Sequence, residues 1–144
     1  VIDINLTGVW LCLKYETAEM IKHGKGSIVN AASVMGLVGN PGGSSYNASK
    51  YGVIGLTTTV ALEYGKLGIR VNAVCPGYIK TPMMDRVAVQ YDSPEYRAEI
   101  ISRHPIGRIG KPEEVAETVT WLCSDAASFV TGHAMSVDGG YVAQ

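Results

Sequence analysis

The chain has 144 residues, 47% of them hydrophobic and 17% charged, with a mean hydropathy of +0.12, which suits one globular domain. A net charge of −1 and a pI near 6.3 exclude a basic field for nucleic acid, and every apolar stretch is broken well short of a membrane span. The histidines (His23, His104, His133) and cysteines (Cys12, Cys75, Cys123) lack ligand spacing, so no metal site is expected; each cysteine lies in an apolar run and reads as a buried free thiol in a reducing compartment, the cytoplasm.

The chain opens at Val1, already inside an apolar pattern and without a methionine or signal-peptide architecture, as if entered partway through. The first element, "LTGVWLCLKYETAEMIKHG", carries apolar residues at Val9, Leu11, Leu13, Ala18, Met20 and Ile21, the spacing of a buried helix, with Thr7 as its cap and Gly24 as its stop. "GSIVNAAS" then reads as a short buried strand, and "GLVGNPGGSS" as a loop. A helix starts near Ser44, its packing face drawn by Val53, Leu56, Val60 and Tyr64. Gly52 and Gly55 weaken it by about 1 kcal/mol each relative to alanine, which is tolerated where another backbone must come close.

"GIRVNAVCPG" reads as a second strand ending in a breaker. The polar, proline-broken stretch after it suits one or two short helices over a mobile region, a lid over about 79–110. "KPEEVAETVTWLCSD" is a helix: Pro112 suits its first position, Glu113 and Glu114 its positive end, and Val115, Val119 and Leu122 its buried stripe. "HAMSVDGG" closes the chain as a short strand. Strands alternating with helices imply parallel β-α units, and no repeat or linker divides them.

In such a sheet, ligands gather at the carboxyl ends of the strands. The first strand delivers Ser33 there, the second delivers Pro76, Gly77 and "YIKTPM", and the helix that follows the first strand starts from the same edge. That helix carries "SYNASK", in which Tyr46 and Lys50 share a face at i and i+4. A hydroxyl, a phenol and an amine at one edge suit proton transfer to or from an alcohol oxygen. A phenol of pKa about 10 is a poor base, and bringing it to neutrality takes about 4 kcal/mol, which a close, partly buried ammonium can largely supply. Ser33 would hold the substrate oxygen while Tyr46 moves the proton. Oxidation also needs a hydride acceptor, which is cofactor chemistry. Val34, Met35, Val38, Tyr78, Met83 and Met84 could line an apolar pocket for a small hydrophobic or cyclic alcohol.

In order and spacing, "NLTG" with Asn5, "IVNAAS" with Ser33 thirteen residues before Tyr46, "YNASK", "GIRVNAVCPGYIKTPM" and "FVTGHAMSVDGG" resemble the short-chain dehydrogenase/reductase family, over roughly the C-terminal 60% of such a protein. The resemblance implies a doubly wound, Rossmann-like parallel α/β sheet, here incomplete, with 1–144 as the C-terminal part of a single domain. It implies that Tyr46 is the catalytic acid/base, that Lys50 activates it and contacts the nicotinamide ribose, that Ser33 orients the substrate, and that Asn5 holds a water in the proton relay. Pro76 and Gly77 would form the turn beneath the nicotinamide, with Ile79 and Thr81 contacting its carboxamide and phosphate; Met35 and Tyr78 would face the substrate.

The family's glycine-rich phosphate loop is absent, and neither "GKGS" nor "GNPGGSS" replaces it, so the N-terminal nucleotide-binding half is expected to be missing and the cofactor is NAD or NADP. The expected activity is interconversion of a secondary alcohol and a ketone, with the fragment alone inactive. The alternatives are reduction of a 3-oxoacyl thioester on an acyl carrier, for which Arg86, Arg97, Arg103 and Arg108 are candidate contacts, and a non-catalytic scaffold. No nucleic acid or membrane partner is expected. The family's pairing of helices equivalent to 7–23 and 44–65 implies a homodimer or homotetramer.

Overall fold

The computed structural model describes residues 1–84 and 93–143. Its frame is a sheet of three parallel strands in the order β1 (Gly26–Ala31), β2 (Ile69–Pro76), β3 (Ala134–Val137). Gly26 pairs with Ile69 through to Ala31 with Val74, and Ala73 to Pro76 pair with Ala134 to Val137. The helices are α1 (Gly8–His23), α2 (Ser44–Tyr64), α3 (Pro94–Ser102) and α4 (Pro112–Cys123).

The two-residue period of β2 divides the molecule into layers. Ile69, Val71, Ala73 and Cys75 are fully buried and face α1 and α2, packing with Leu13, Ile28, Val53, Val60 and Ala61. The alternate residues serve the α4 side. Arg70 donates from Nη1 to the carbonyls of Leu122 (2.8 Å) and Val130 (3.2 Å) and from Nη2 to that of Ser124 (3.1 Å), gathering the end of α4. Asn72 Nδ2 donates to the Val130 carbonyl, and its Oδ1 accepts from the His133 N–H, so one side chain aligns the approach to β3. Helices on both faces of a parallel sheet make the doubly wound arrangement.

Four expectations need correction. Thr7 does not cap α1: it has helical angles (φ −62, ψ −40), no side-chain cap bond, and a π-helical stretch, Asp3–Thr7, runs into the helix before it. Gly24 does end α1, at φ +63. Nor is α1 buried all round; Leu13 and Thr17 are buried while Trp10, Leu11, Tyr15 and Ile21 are exposed, because α1 lays only one face on the sheet. Of the three cysteines only Cys75 is buried, being on the central strand; Cys12 and Cys123 lie on outer helices and are exposed. The glycines of α2 do not admit a backbone: a Cβ at Gly52 would meet the Leu6 side chain at 2.7 Å, and one at Gly55 would meet nothing within 4 Å.

Among the described residues no helix is long and apolar enough to cross a membrane. The stretch 85–92, with Arg86 and the middle of the expected lid, lies outside the described residues. The ends of the 79–110 segment are joined, since Lys80 N–H donates to the Gly110 carbonyl and Gly110 N–H to that of Tyr78, both at 2.9 Å.

Candidate active site

Three chain segments meet beyond the carboxyl ends of β1 and β2. Ser33 leaves β1 in extended conformation, and its Oγ accepts the Met35 N–H at 3.2 Å, starting a 3-10 turn, Val34–Gly36. That turn lies against α2: a Cβ on Gly36 would stand 2.7 Å from the Lys50 carbonyl oxygen, so only glycine lets the turn approach so closely. Deeper down, Asn30 Nδ2 donates to Thr57 Oγ1 at 2.9 Å and Thr57 donates back to the Val53 carbonyl, which fixes α2 on β1. Both contacts are buried and satisfied.

Tyr46 sits in the first turn of α2, its side chain partly exposed. Lys50, one turn on, points back toward the sheet. Its Nζ donates to the Ala31 carbonyl at 2.8 Å and stands 5.6 Å from the Tyr46 ring centre. Burial holds the ammonium below the ordinary lysine range. The nearest thiol does not cancel its charge: burial, with Asp138 adding to it, pushes Cys75 up to about 11, so at neutral pH Cys75 is an uncharged thiol. Tyr78, the second phenol in the region, is pushed upward by burial and by Tyr141 and Tyr96, away from use as a base.

The cleft in front of Tyr46 has a volume of about 350 Å³. Ser33, Met35, Tyr46, Gly77, Tyr78, Ile79 and Thr81 all line it, as do Val34, Met83 and Met84. The sequence therefore identified most of this wall. Val38 is not on it; its carbonyl instead accepts from Asn47 Nδ2 at 2.9 Å. Pro76 and Lys50 are not among the residues that line it, and Asn5 reaches α2 from the π-helical stretch, donating to Ser49 Oγ (3.3 Å), which donates to the Tyr46 carbonyl (2.7 Å). A π-helical segment offsets a side chain from the regular α spacing, and here it lets Asn5 bond across to α2.

Sequence reasoning missed two residues here. His104, read only as a non-ligand, is buried; its Nδ1 bonds the Ile100 carbonyl at 2.8 Å and its Nε2 accepts the Tyr78 N–H at 3.4 Å, holding the 76–81 segment to α3. Its ring also meets those of Tyr78 and Tyr141. Asn40, assigned only to a loop, lines the cleft. The one available signal was an amide in a tight glycine and proline loop next to the motif.

The 76–81 segment bears on whether a nicotinamide fits this edge. Gly77 is closely backed: a Cβ there would come to 3.0 Å from the Asp138 α-carbon and 3.1 Å from His104 Nε2. A side-chain-free turn beside Ser33 and Tyr46, followed by Ile79 and Thr81 on the cleft wall, fits a flat, largely apolar ring with a polar edge.

Comparison with known proteins gives the following. The family model described as Enoyl-(Acyl carrier protein) reductase matches residues 1–142. A 2,5-dichloro-2,5-cyclohexadiene-1,4-diol dehydrogenase of Sphingobium indicum is 51% identical over 142 residues, 98% of this chain and 56% of that protein. A 3-oxoacyl-(acyl-carrier-protein) reductase of Thermotoga maritima is 50% identical over 143 residues, 99% of this chain and 56% of that protein. The solved structure of ElxO with NADP bound superposes with a TM-score of 0.90 at 38% identity, covering 97% of this chain and 56% of that one. The chain thus spans about 56% of the length of these relatives.

Proposed function

The chain belongs to the short-chain dehydrogenase/reductase family, and on that premise we propose that it carries the acid/base and substrate side of an NAD(P)-dependent oxidoreductase interconverting a small cyclic secondary alcohol and its ketone. The activity is proposed for this chain together with a dinucleotide-binding region of the kind its relatives' further length allows. The observation that carries it is the placement of Lys50 Nζ 5.6 Å from the Tyr46 ring, with Ser33 and Tyr46 on one cleft wall.

In this reading the Ser33 hydroxyl holds the carbinol oxygen, and Tyr46, as its phenolate, takes the carbinol proton as the carbonyl forms; in the reverse direction the phenol returns that proton to the ketone oxygen. The Lys50 ammonium, beside a Cys75 thiol that burial keeps protonated, would favour the phenolate form of Tyr46 that accepts the proton. Asn5, through Ser49, steadies the Tyr46 turn and is assigned to the proton relay. Pro76, Gly77, Ile79 and Thr81 would hold the nicotinamide, with Tyr46 and Lys50 at its ribose. A bound nicotinamide supplies the hydride acceptor. The described part of 79–110, clamped at Tyr78–Gly110, would serve as lid.

The apolar wall of Val34, Met35, Ile79, Met83 and Met84 supports a ring substrate, in keeping with the diol dehydrogenase relative. The acyl-carrier reading has the Thermotoga relative in its favour. Against it, Arg108 is held by both carboxylate oxygens of Glu114, and Arg103 pairs with Glu99. Assay of cyclohexanol against a 3-oxoacyl thioester decides between them. We also assign the protein to the cytoplasm and a homodimer or homotetramer built on α1 and α2.

The deciding experiment is Tyr46→Phe in the full-length protein. General acid–base catalysis is worth about 10²–10⁴-fold, so kcat should fall by at least about a hundredfold while nicotinamide fluorescence still reports cofactor binding. Undiminished turnover removes the mechanism, and absent cofactor binding by the unmutated protein leaves the scaffold alternative.

A further inference from the structure

We propose that the side-chain amide of Asn40 is a specificity-determining group that holds a second, neutral oxygen on the substrate, a hydroxyl or ketone elsewhere on the same ring. The inference deepens the cyclic-alcohol reading and rests on it.

Of the polar side chains on the cleft wall, the Tyr78 hydroxyl and the Asn40 amide alone have neither a part at the reacting oxygen nor a hydrogen bond to a described residue, and the Tyr78 ring is held in place by its aromatic neighbours. Ser33 and Tyr46 serve the reacting oxygen, Thr81 Oγ1 accepts the Met84 N–H at 3.3 Å, and the Tyr78 ring packs with those of His104 and Tyr141. The Asn40 amide lines the same cleft yet makes no hydrogen bond to any described residue. Asn40 is half-buried and its amide reaches solvent, so a ligand oxygen seated in the cleft would displace water and take its place as the amide's partner. No described residue lining the cleft is Lys, Arg, His, Asp or Glu, and Lys50 is engaged at Tyr46, so an anionic substituent on the substrate would find no charged partner at Asn40. The matching group is a neutral oxygen.

The amide is also presented by a braced loop. Asn40 carbonyl accepts the Gly43 N–H at 3.1 Å, Gly43 carbonyl accepts the Asn47 N–H at 2.8 Å, and Asn47 Nδ2 ties the loop at Val38. A fixed backbone lowers the ordering cost of a contact made there. Beside it, Asn47 Oδ1 is buried with no donor among the described residues. A Cβ on Gly43 would stand 3.1 Å from that oxygen and 3.3 Å from Asn40 Nδ2; its absence leaves the Asn40 amide room to turn. One orientation offers a donor to a ketone and the other an acceptor to a hydroxyl, so the same residue can follow a ring that carries either.

The test compares cyclohexanol with the positional isomers of cyclohexanediol, using the full-length enzyme with NAD(P) and the variants Asn40→Ala and Asn40→Leu. One hydrogen bond made against an otherwise unpaired amide predicts that at least one diol exceeds cyclohexanol in kcat/KM by about tenfold. Both variants should bring that ratio close to one. A ratio that neither variant moves, or an unmutated enzyme with no diol preference, overturns the proposal. Calorimetric binding of the same alcohols to the cofactor-loaded Tyr46→Phe protein reads the diol-to-cyclohexanol ratio without turnover. A preference there that Asn40→Ala abolishes supports the proposal even if the acid/base reading fails, and its absence overturns it.

Discussion

At the residue scale the site depends on keeping one charge where water would rather have it. Lys50 is half-buried, holds a single backbone carbonyl, and carries an ammonium whose pKa burial lowers. Its stability linkage has a definite sign. With the folded value below the unfolded one of about 10.4, the unfolded chain binds the proton more tightly between the two, so this group's contribution to stability rises with pH across that window. Heteronuclear NMR of labelled lysine side chains should therefore find Lys50 titrating below the surface lysines; a titration among them would remove the electrostatic argument. Cys75 provides a second check. A buried thiol pushed up to about 11 should resist iodoacetamide at pH 8 in the native protein and react once the protein is denatured.

Between elements, the close contact that sets the site is the turn Val34–Gly36 against α2. The Cβ of Gly36→Ala would meet the Lys50 carbonyl oxygen at 2.7 Å and its carbon at 2.9 Å, both backbone atoms that cannot swing aside. Overpacking of this kind costs about 1–3 kcal/mol, and a displacement of about 1 Å between reacting groups can cost about a hundredfold in rate. The expected outcome is a thermal melt lowered modestly and a kcat/KM lowered by more than that loss of folded protein explains. At the start of α4, the Arg108 guanidinium and then the Lys111 N–H hold the Glu114 carboxyl at about 2. Its stabilising effect is present above the usual glutamate range and is lost as pH falls through about 2; in Arg108→Ala its NMR titration should return toward about 4.3.

The elements themselves were legible because their signals are local: glycine at φ +63 after α1, Pro112 opening α4, Val53 and Val60 recurring on one face of α2. Arg70, Asn72 and the Tyr78 contact of His104 were not, since those partners lie 26 to 61 residues away and no spacing rule announces them. The π-helical stretch escaped for a related reason. Ile2, Ile4 and Leu6 alternate with polar residues, a pattern of extended chain, and only the backbone of Asp3–Thr7 reveals the wider turn from which Asn5 bonds Ser49.

For the whole molecule, the surface outside the cleft poses the remaining question. On α2, Tyr51, Gly55 and Leu62 fall on one stripe, and Leu62 is 86% exposed. Gly55 floors a groove of about 380 Å³ between α1 and α2, lined also by Leu6, Trp10, Gly52 and Leu56. A glycine that costs a helix about 1 kcal/mol and has nothing within 4 Å gains nothing from its own chain. The proposed subunit contact supplies a reason, because a second α1–α2 pair seated in the groove would bury Trp10 and Leu62 and use the space above Gly55. Gly55→Leu discriminates, since in an isolated chain it only replaces a poor helix former with a good one on an open surface. If the groove receives a partner, the side chain blocks it. Sedimentation should then show the full-length protein shifting toward monomer, with a melting temperature that becomes independent of protein concentration. A variant that stays fully assembled and simply melts higher would place the subunit contact elsewhere.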